Sequence, residues 1–91
     1  MWKVTKNLID KDEEKCPLFQ SNDYQEWAFT HQPSTKFRLL DDDGEVYFEG
    51  LITDECLNGC AEWAFSPLDD LGRGYGCTEM QYMHKGKWET L

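Results

Sequence analysis

The sequence predicts a small α+β domain built on antiparallel β-hairpins with short helical turns, with a mostly-β domain as the alternative. Its 91 residues leave room for a single domain spanning 1–91. Aromatic side chains make up 14% of the chain, and they supply the apolar area that a folded core needs. Two turn-forming dipeptides, Asp43-Gly44 and Lys85-Gly86, each lie between apolar segments and predict two hairpins.

The first third of the chain predicts one strand and one ambiguous element. Trp2 to Thr5 alternate apolar and polar residues, which is typical of a strand. A charged loop from Asp10 to Lys15 follows and ends at Cys16-Pro17. Asn22 and Gln25 form a weak capping box, and the next apolar residues have helical spacing: Tyr24, Trp27, Ala28 and His31. Trp27 to Phe29 also suits a strand, so both remain open up to the break at Gln32-Pro33-Ser34.

The central hairpin has a register that the sequence itself suggests. A two-residue type I′ turn at Asp43-Gly44 would place three pairs on the face toward the core: Leu39 with Phe48, Asp41 with Val46, and Phe37 with Gly50. The other face would then pair Leu40 with Tyr47 and Arg38 with Glu49, the latter as an ion pair.

The C-terminal third predicts short helical turns followed by a second hairpin. Leu57 to Phe65 suits a short helix, although Asn58-Gly59 weakens its start. Ser66 as N-cap, Pro67, Asp69 and Gly72 describe a single helical turn. Gly72 to Gly76 is expected to be a flexible loop. Thr78 to Met83 and Trp88 to Leu91 then form the hairpin, which pairs Met83 with Trp88.

Charge is distributed unevenly along the chain. The net charge is −9, and the segment from Leu39 to Gly72 contains no Lys or Arg. It contains ten acids: Asp41, Asp42, Asp43, Glu45, Glu49, Asp54, Glu55, Glu62, Asp69 and Asp70. Such a field disfavours direct binding to nucleic acid or to an anionic membrane, and it attracts a basic partner.

A cytoplasmic location is expected. No run approaches the ~20 apolar residues of a membrane span, and the opening residues lack the apolar stretch of a signal peptide. The four cysteines are then expected to be reduced.

Two stretches of the sequence could bind a metal ion, and neither predicts a cofactor. The acidic run at Asp41 to Glu45 resembles a calcium loop only loosely, because contiguous Asp residues point in different directions. Cys56 and Cys60 have the spacing of one zinc-ligand pair, but Cys77 stands alone and no second pair accompanies it. These three cysteines are therefore weak metal candidates, and buried reduced thiols are the simpler interpretation.

Catalysis finds little support in the residue pattern. A nucleophilic cysteine needs a histidine and an orienting acid, and no spacing links His31 or His84 to a cysteine. The glycine-rich stretch Gly72 to Gly76 lacks the lysine and the strand–helix context of a phosphate loop. The protein is therefore not expected to be an enzyme.

Four blocks of sequence carry a resemblance: KFRLLDDDGEVYFEG, AFSPLDDLG, GCTEMQY and GKWETL. They resemble a group of short bacterial and phage-associated proteins that often open with a Trp-x-x-Thr-Lys-like stretch, here Trp2 to Lys6. The blocks cover Lys36 to Gly50 and Ala64 to Leu91, about half of the chain. The resemblance implies a compact domain without supplying a site, and the link to mobile elements favours inhibitors of host defence.

These observations predict an acidic, non-enzymatic binding protein that contacts a basic protein or complex. The expected binding surface is the acidic hairpin: Asp41, Asp42, Asp43, Glu45, Tyr47 and Glu49. Exposed aromatic anchors are expected among Tyr47, Trp63, Tyr75 and Tyr82. The sharpest version is an inhibitor of a nucleic-acid-binding defence complex, of anti-CRISPR or anti-restriction type, whose carboxylates replace phosphates. The alternatives are a metal- or redox-responsive protein using its cysteines, and a domain with a small-molecule ligand.

Overall fold

The computed structural model describes residues 1–8 and 19–91. Five strands and four short α-helices follow in the order β1 (Trp2–Asn7), α1 (Glu26–His31), β2 (Ser34–Leu40), β3 (Val46–Thr53), α2 (Asp54–Leu57), α3 (Ala61–Ala64), α4 (Ser66–Asp70), β4 (Glu79–His84) and β5 (Lys87–Thr90). A 3₁₀ helix, Gly72–Tyr75, lies between α4 and β4. The predicted charged loop at Asp10 to Lys15 and the Cys16-Pro17 pair lie outside the described residues.

The strands form one antiparallel sheet in the order β1-β3-β2-β4-β5. This sheet, with its few short helices, fits the predicted α+β class and fits the mostly-β alternative as well. The strand predicted at Trp2 to Thr5 is confirmed and extends to Asn7. Between β2 and β3, the predicted pairs of Phe37 with Gly50, Arg38 with Glu49, and Leu39 with Phe48 are also confirmed.

One face of the sheet forms the core. Its side chains alternate along the strands, as a half-buried sheet requires. Phe37, Leu39, Phe48 and Ile52 are fully buried, and Leu68 of α4 packs in the same cluster. We call α2, α3, α4 and the 3₁₀ helix together the helical layer, which covers this face. The opposite face of the sheet is called the second face.

The ambiguous element after Tyr24 is a helix. α1 begins after Gln25, which makes no side-chain capping bond, so the predicted capping box at Asn22 is not formed. Ala28 is fully buried. Lys3 points away from the core side of β1, and its Nζ lies 4.9 Å from the centre of the Phe29 ring. α1 therefore packs at one corner of the second face.

The helical layer differs from the single helix expected at Leu57 to Phe65. α2 ends at Leu57 and α3 begins at Ala61, with Asn58 and Gly59 in the break. Ser66 is not an N-cap, because it lies within α4 and its hydroxyl donates to the Trp63 carbonyl oxygen at 2.7 Å. The segment expected to be a flexible loop is instead the 3₁₀ helix at Gly72–Tyr75.

The turn between β2 and β3 corrects one prediction. The Gly44 N–H donates to the Asp41 carbonyl oxygen at 3.1 Å, and the Asp41 N–H donates to the Glu45 carbonyl oxygen at 3.0 Å. Only Gly44 of this turn has a positive φ, +81°. The connection is thus a three-residue loop with a glycine bulge, rather than a type I′ turn. As a result, Leu40 pairs with Val46 instead of Tyr47, and Asp41 does not face Val46.

The last hairpin is confirmed with its register. Met83 pairs with Trp88, and His84 pairs with Lys87 across a two-residue turn. Lys85 and Gly86 both have positive φ, +51° and +79°, which is the geometry of a type I′ turn. The type I′ turn predicted for the acidic hairpin thus occurs here.

The two edges of the sheet differ. Along β1, the Val4 N–H donates to the Phe19 carbonyl oxygen at 2.7 Å, and the Ser21 N–H donates to the Trp2 carbonyl oxygen at 2.9 Å. An isolated bridge between Lys3 and Gln20 lies between these bonds. β5, only four residues long, forms the opposite edge.

Candidate functional site

Asp41 is part of the turn rather than of an open binding surface. Its Oδ1 accepts hydrogen bonds from the N–H groups of Asp43 and Glu45, both at 2.9 Å. The bond from the Glu45 backbone is the main cause that lowers the pKa of the Asp41 carboxyl below its ordinary value. A hydrogen bond to Asp41 also raises the pKa of the Tyr47 hydroxyl. Asp41 therefore has a structural role that the sequence prediction assigned only to Asp43.

The tip of the hairpin carries the exposed part of the acidic run. We call Asp42, Asp43 and Glu45 the acidic tip, and all three are exposed. Because the Oδ1 atom of Asp41 already serves the turn, the acidic run does not form the ring of oxygens that calcium requires. The β2–β3 hairpin therefore ends in three exposed carboxylates.

Glu49 and Tyr47 lie apart from the acidic tip. Glu49 is a half-buried residue of β3 on the second face, where it pairs with Arg38 on one side and Lys6 on the other. Tyr47 packs against the core cluster. The six predicted surface residues are thus divided between the turn, its tip, the second face and the margin of the core.

The predicted ion pair between Arg38 and Glu49 is replaced by other contacts of the guanidinium. Arg38 Nε donates to Gln81 Oε1 at 2.7 Å. The guanidinium carbon lies 4.4 Å from the centre of the Trp88 ring, a cation–π contact on the second face. Residues of β4 and β5, distant in sequence, therefore hold Arg38.

The three described cysteines have free thiols in different environments. Cys77 is buried in the core cluster, and burial raises the pKa of its thiol from 9.0 to about 11. A thiol with such a pKa is protonated at neutral pH, the opposite of what a nucleophile or a metal ligand needs. Cys56 Sγ donates to the Trp63 carbonyl oxygen at 3.3 Å, and Cys60 is exposed. Within residues 1–8 and 19–91, no three His, Cys, Asp or Glu side chains are grouped to hold a metal ion.

Of the four aromatic residues expected as anchors, two are largely exposed. Trp63 of α3 is 56% exposed and Tyr75 is 46% exposed. The Tyr75 ring is nevertheless in contact with Phe48 and Phe19, at centroid distances of 5.3 and 5.8 Å. Tyr47 and Tyr82 are half-buried. Trp63 is therefore the aromatic side chain best placed to meet a partner.

The fold separates acids from bases. Exposed carboxylates of the helical layer are Glu55, Glu62, Asp69 and Asp70. Lys3, Lys36 and Arg38 lie on the second face of the sheet instead. The base-free segment from Leu39 to Gly72 was the sequence signal for this arrangement, but the basic second face was missed. It depends on β1 lying beside β3, which places Lys3 on the same face as Lys36 and Arg38 of β2.

Few of the exposed acids are neutralised by neighbours. Between described residues, two side-chain ion pairs occur: Lys3 with Glu26 at 3.9 Å, and Arg73 with Asp69 at 2.8 Å. We call the acidic tip together with Glu55, Glu62, Asp69 and Asp70 the acidic surface. Asp69 is the one member of it that is ion-paired with a described residue. This surface can therefore offer unneutralised carboxylates to a cationic partner.

In comparisons with known proteins, no protein family, curated protein or solved structure matches the chain. Among the helices that the structure describes, none has the length and apolar character needed to cross a membrane.

Proposed function

We propose that this protein is a non-enzymatic binding protein whose acidic surface contacts a basic protein. The observation that carries the proposal is the uneven distribution of charge: exposed carboxylates occupy the acidic tip and the helical layer, where Arg73 is the one base and pairs with Asp69. Lys3, Lys36 and Arg38 lie on the second face. A basic groove approaching the helical layer meets carboxylates with few competing cations. Complementary potentials of this kind raise association rates and fix orientation.

The sharpest form of the proposal is an inhibitor that takes the place of nucleic acid. A nucleic-acid-binding defence complex presents Lys and Arg side chains to phosphates, and fixed carboxylates can pair with the same cations. The base-free segment and the resemblance to phage-associated proteins support this form. The protein would then be an inhibitor of anti-CRISPR or anti-restriction type, and it would bind the nucleic-acid groove of the defence complex.

Affinity capture from a lysate of the source cell or its host, read by mass spectrometry at physiological salt, tests the proposal. The acidic-surface variant carries Asp42→Asn, Glu45→Gln and Glu62→Gln, and it retains Asp41 and Asp43 for the turn. The control variant carries Glu26→Gln, Glu49→Gln and Glu89→Gln, which changes the net charge equally at other places. Circular dichroism verifies that both variants remain folded.

We expect the native protein and the control to capture a basic protein that the acidic-surface variant loses. Competition by the nucleic acid that this captured protein binds would support the inhibitor form. Equal loss with both variants would mean that total charge alone is responsible, and it would overturn the proposal. Capture of no basic protein by the native chain would overturn it as well.

A further inference from the structure

A cleft of about 410 Å³ opens where the first strand meets the helical layer. Its walls come from β1, the end of β3, α2, α3 and α4, and from the turn before α1. This volume lies within the range of about 300–1,000 Å³ found for small-ligand sites. Among its lining residues, Trp2 and Trp63 supply aromatic surface, and Asp23, Glu55 and Asp70 supply carboxylates.

Trp63 is exposed and at the same time fixed. Its carbonyl oxygen accepts hydrogen bonds from Ser66 Oγ at 2.7 Å and from Cys56 Sγ at 3.3 Å. Its ring lies so close to Gly59 that a Cβ at that position would be 2.7 Å from Cε3. The two hydrogen bonds hold the backbone of Trp63, and the contact with Gly59 restricts its ring on one side, so part of the entropy cost of ordering this side chain on binding is already met.

Trp2 supplies an independent sign that the cleft is incomplete. Its side chain is 3% exposed, and its buried indole Nε1 has no hydrogen-bond partner within residues 1–8 and 19–91. A buried donor without an acceptor costs about 1–3 kcal/mol. Trp2 also lines the cleft, but its Nε1 lies beneath the surface, so an acceptor of a ligand, such as a peptide carbonyl oxygen, reaches this donor only if the ring turns outward.

The charge of the cleft selects the ligand. Asp23 and Asp70 are exposed on its rim, as is Glu55 of α2. Among the described residues that line it there is no Lys or Arg, and the one cation is the Met1 ammonium group, which donates to Thr53 Oγ1 at 3.3 Å. A planar guanidinium stacks on a tryptophan face and pairs with carboxylates through two parallel hydrogen bonds, whereas an ammonium group does so less well.

We infer that this cleft receives an arginine side chain of a basic protein partner, with the guanidinium on Trp63 and between the carboxylates. The inference rests on the proposed function, because it names the residue that the basic partner inserts. The cleft shares Glu55 and Asp70 with the acidic surface. β3, eight residues long, separates the cleft from the acidic tip by about 25 Å, so the cleft and the acidic tip can be varied independently.

Titration of the ¹⁵N-labelled full chain with a blocked tetra-arginine peptide tests the inference, with tetra-lysine and tetra-citrulline peptides as comparisons. The indole N–H signals of the four tryptophans report the site directly. We expect the Trp63 and Trp2 signals to shift saturably with the arginine peptide, at several-fold lower Kd than with the lysine peptide. The citrulline peptide, which is uncharged, should leave them in place.

Two matched variants locate the effect. Trp63→Ala with Asp70→Asn removes the platform and one carboxylate of the cleft, and we expect it to raise the Kd at least about tenfold. Trp27→Ala with Glu89→Gln removes a similarly exposed tryptophan and one charge outside the acidic surface, and it should leave the Kd unchanged. Equal weakening by both variants, or equal binding of arginine and citrulline peptides, would overturn the arginine site.

The cleft variant and its control, used in the capture experiment, separate this inference from the proposed function. If the Trp63→Ala, Asp70→Asn variant retains the captured basic protein while the acidic-surface variant loses it, the proposed function stands and the arginine site falls. If the native chain captures no basic protein, the proposed function falls, whatever the peptide titration gives.

Discussion

Gly50 is the residue on which the close approach of β1, β3 and Phe37 depends. A Cβ at this position would lie 2.2 Å from the Lys3 carbonyl oxygen and 2.7 Å from Phe37 Cζ. The Phe37 ring therefore occupies the space that a side chain at residue 50 would need. Since Phe37 is fully buried, it has little room to move.

We expect Gly50→Ala to destabilise the domain by about 1–3 kcal/mol, the usual effect of overpacking a core. Urea denaturation followed by tryptophan fluorescence measures the change. Gly74→Ala serves as the control, because no atom lies within 4 Å of the Cβ that it would introduce. It should change the stability by less than about 0.5 kcal/mol. A Gly50→Ala variant as stable as the control would show that the strands can separate at no cost.

For single residues, the sequence predicted which residues face each other better than it predicted what each side chain does. That Phe37 faces Gly50 was predicted from a type I′ turn, and the pair is confirmed because a bulge at Tyr47 offsets the longer loop. The role of Asp41 did not follow, because a side chain that bonds two backbone N–H groups depends on a loop one residue longer than expected. The buried indole of Trp2 without a partner has no sequence signal at all.

The turn at Lys85-Gly86 is the element whose local sequence fits its geometry least well. Lys85 has a φ of +51°, a conformation that costs an L-residue other than Gly, Asn or Asp roughly 1–2 kcal/mol. Type I′ turns prefer Asn-Gly for this reason.

We expect Lys85→Asn to stabilise the domain by up to about 1 kcal/mol, because asparagine adopts the left-handed conformation more readily. Thermal unfolding should show the gain as a higher Tm. Lys85→Gln removes the same charge without that conformational preference, so it should not reproduce the effect. Equal gains from both variants would attribute the change to charge.

Elements with local causes were predicted best. Both hairpins followed from alternation around an X-Gly dipeptide, but their turn types did not. The acidic turn is set by Asp41 and by the bulge at Tyr47, which are visible only once the strands are paired. The helical layer was predicted as a helix at Leu57 to Phe65, a helical turn from Ser66 to Gly72 and a loop, and the helical turn is confirmed as α4. The division of the first helix into α2 and α3, and the 3₁₀ helix in place of the loop, were not predicted.

Across the whole molecule, the acidic surface places like charges close together. With a net charge of −9, mutual repulsion opposes the folded state at low ionic strength. Added salt shortens the screening length from about 30 Å at 0.01 M to about 8 Å at 0.15 M.

We therefore expect the Tm to rise by a few degrees between about 0.01 and 0.15 M NaCl, since ~1 kcal/mol corresponds to about 4–8 °C in a domain of this size. Differential scanning calorimetry measures it. The acidic-surface variant with Asp42→Asn, Glu45→Gln and Glu62→Gln should begin at a higher Tm and gain less from salt. A Tm that falls with salt would show that favourable ion pairs outweigh the repulsion.

The sequence predicted where the acids lie but not that the bases would share the second face. The base-free segment from Leu39 to Gly72 indicated where the acids would lie, but β1 lies beside β3, and β4 beside β2. These non-local pairings place Lys3 and Lys36 on one face. Strand order is fixed by the burial of the whole core, so composition along the chain does not reveal it.

The edges of the sheet limit how a partner can engage this domain. Residues Phe19 to Ser21 already satisfy backbone groups along β1, and β5 is short, contains Lys87 and Glu89 and is preceded by Lys85. Short, charged edges resist the addition of a further strand. Recognition by β-augmentation, in which a peptide extends the sheet through its main chain, is therefore disfavoured at both edges. The domain is suited to recognition through side chains, and its edges also protect it from edge-to-edge aggregation at high concentration.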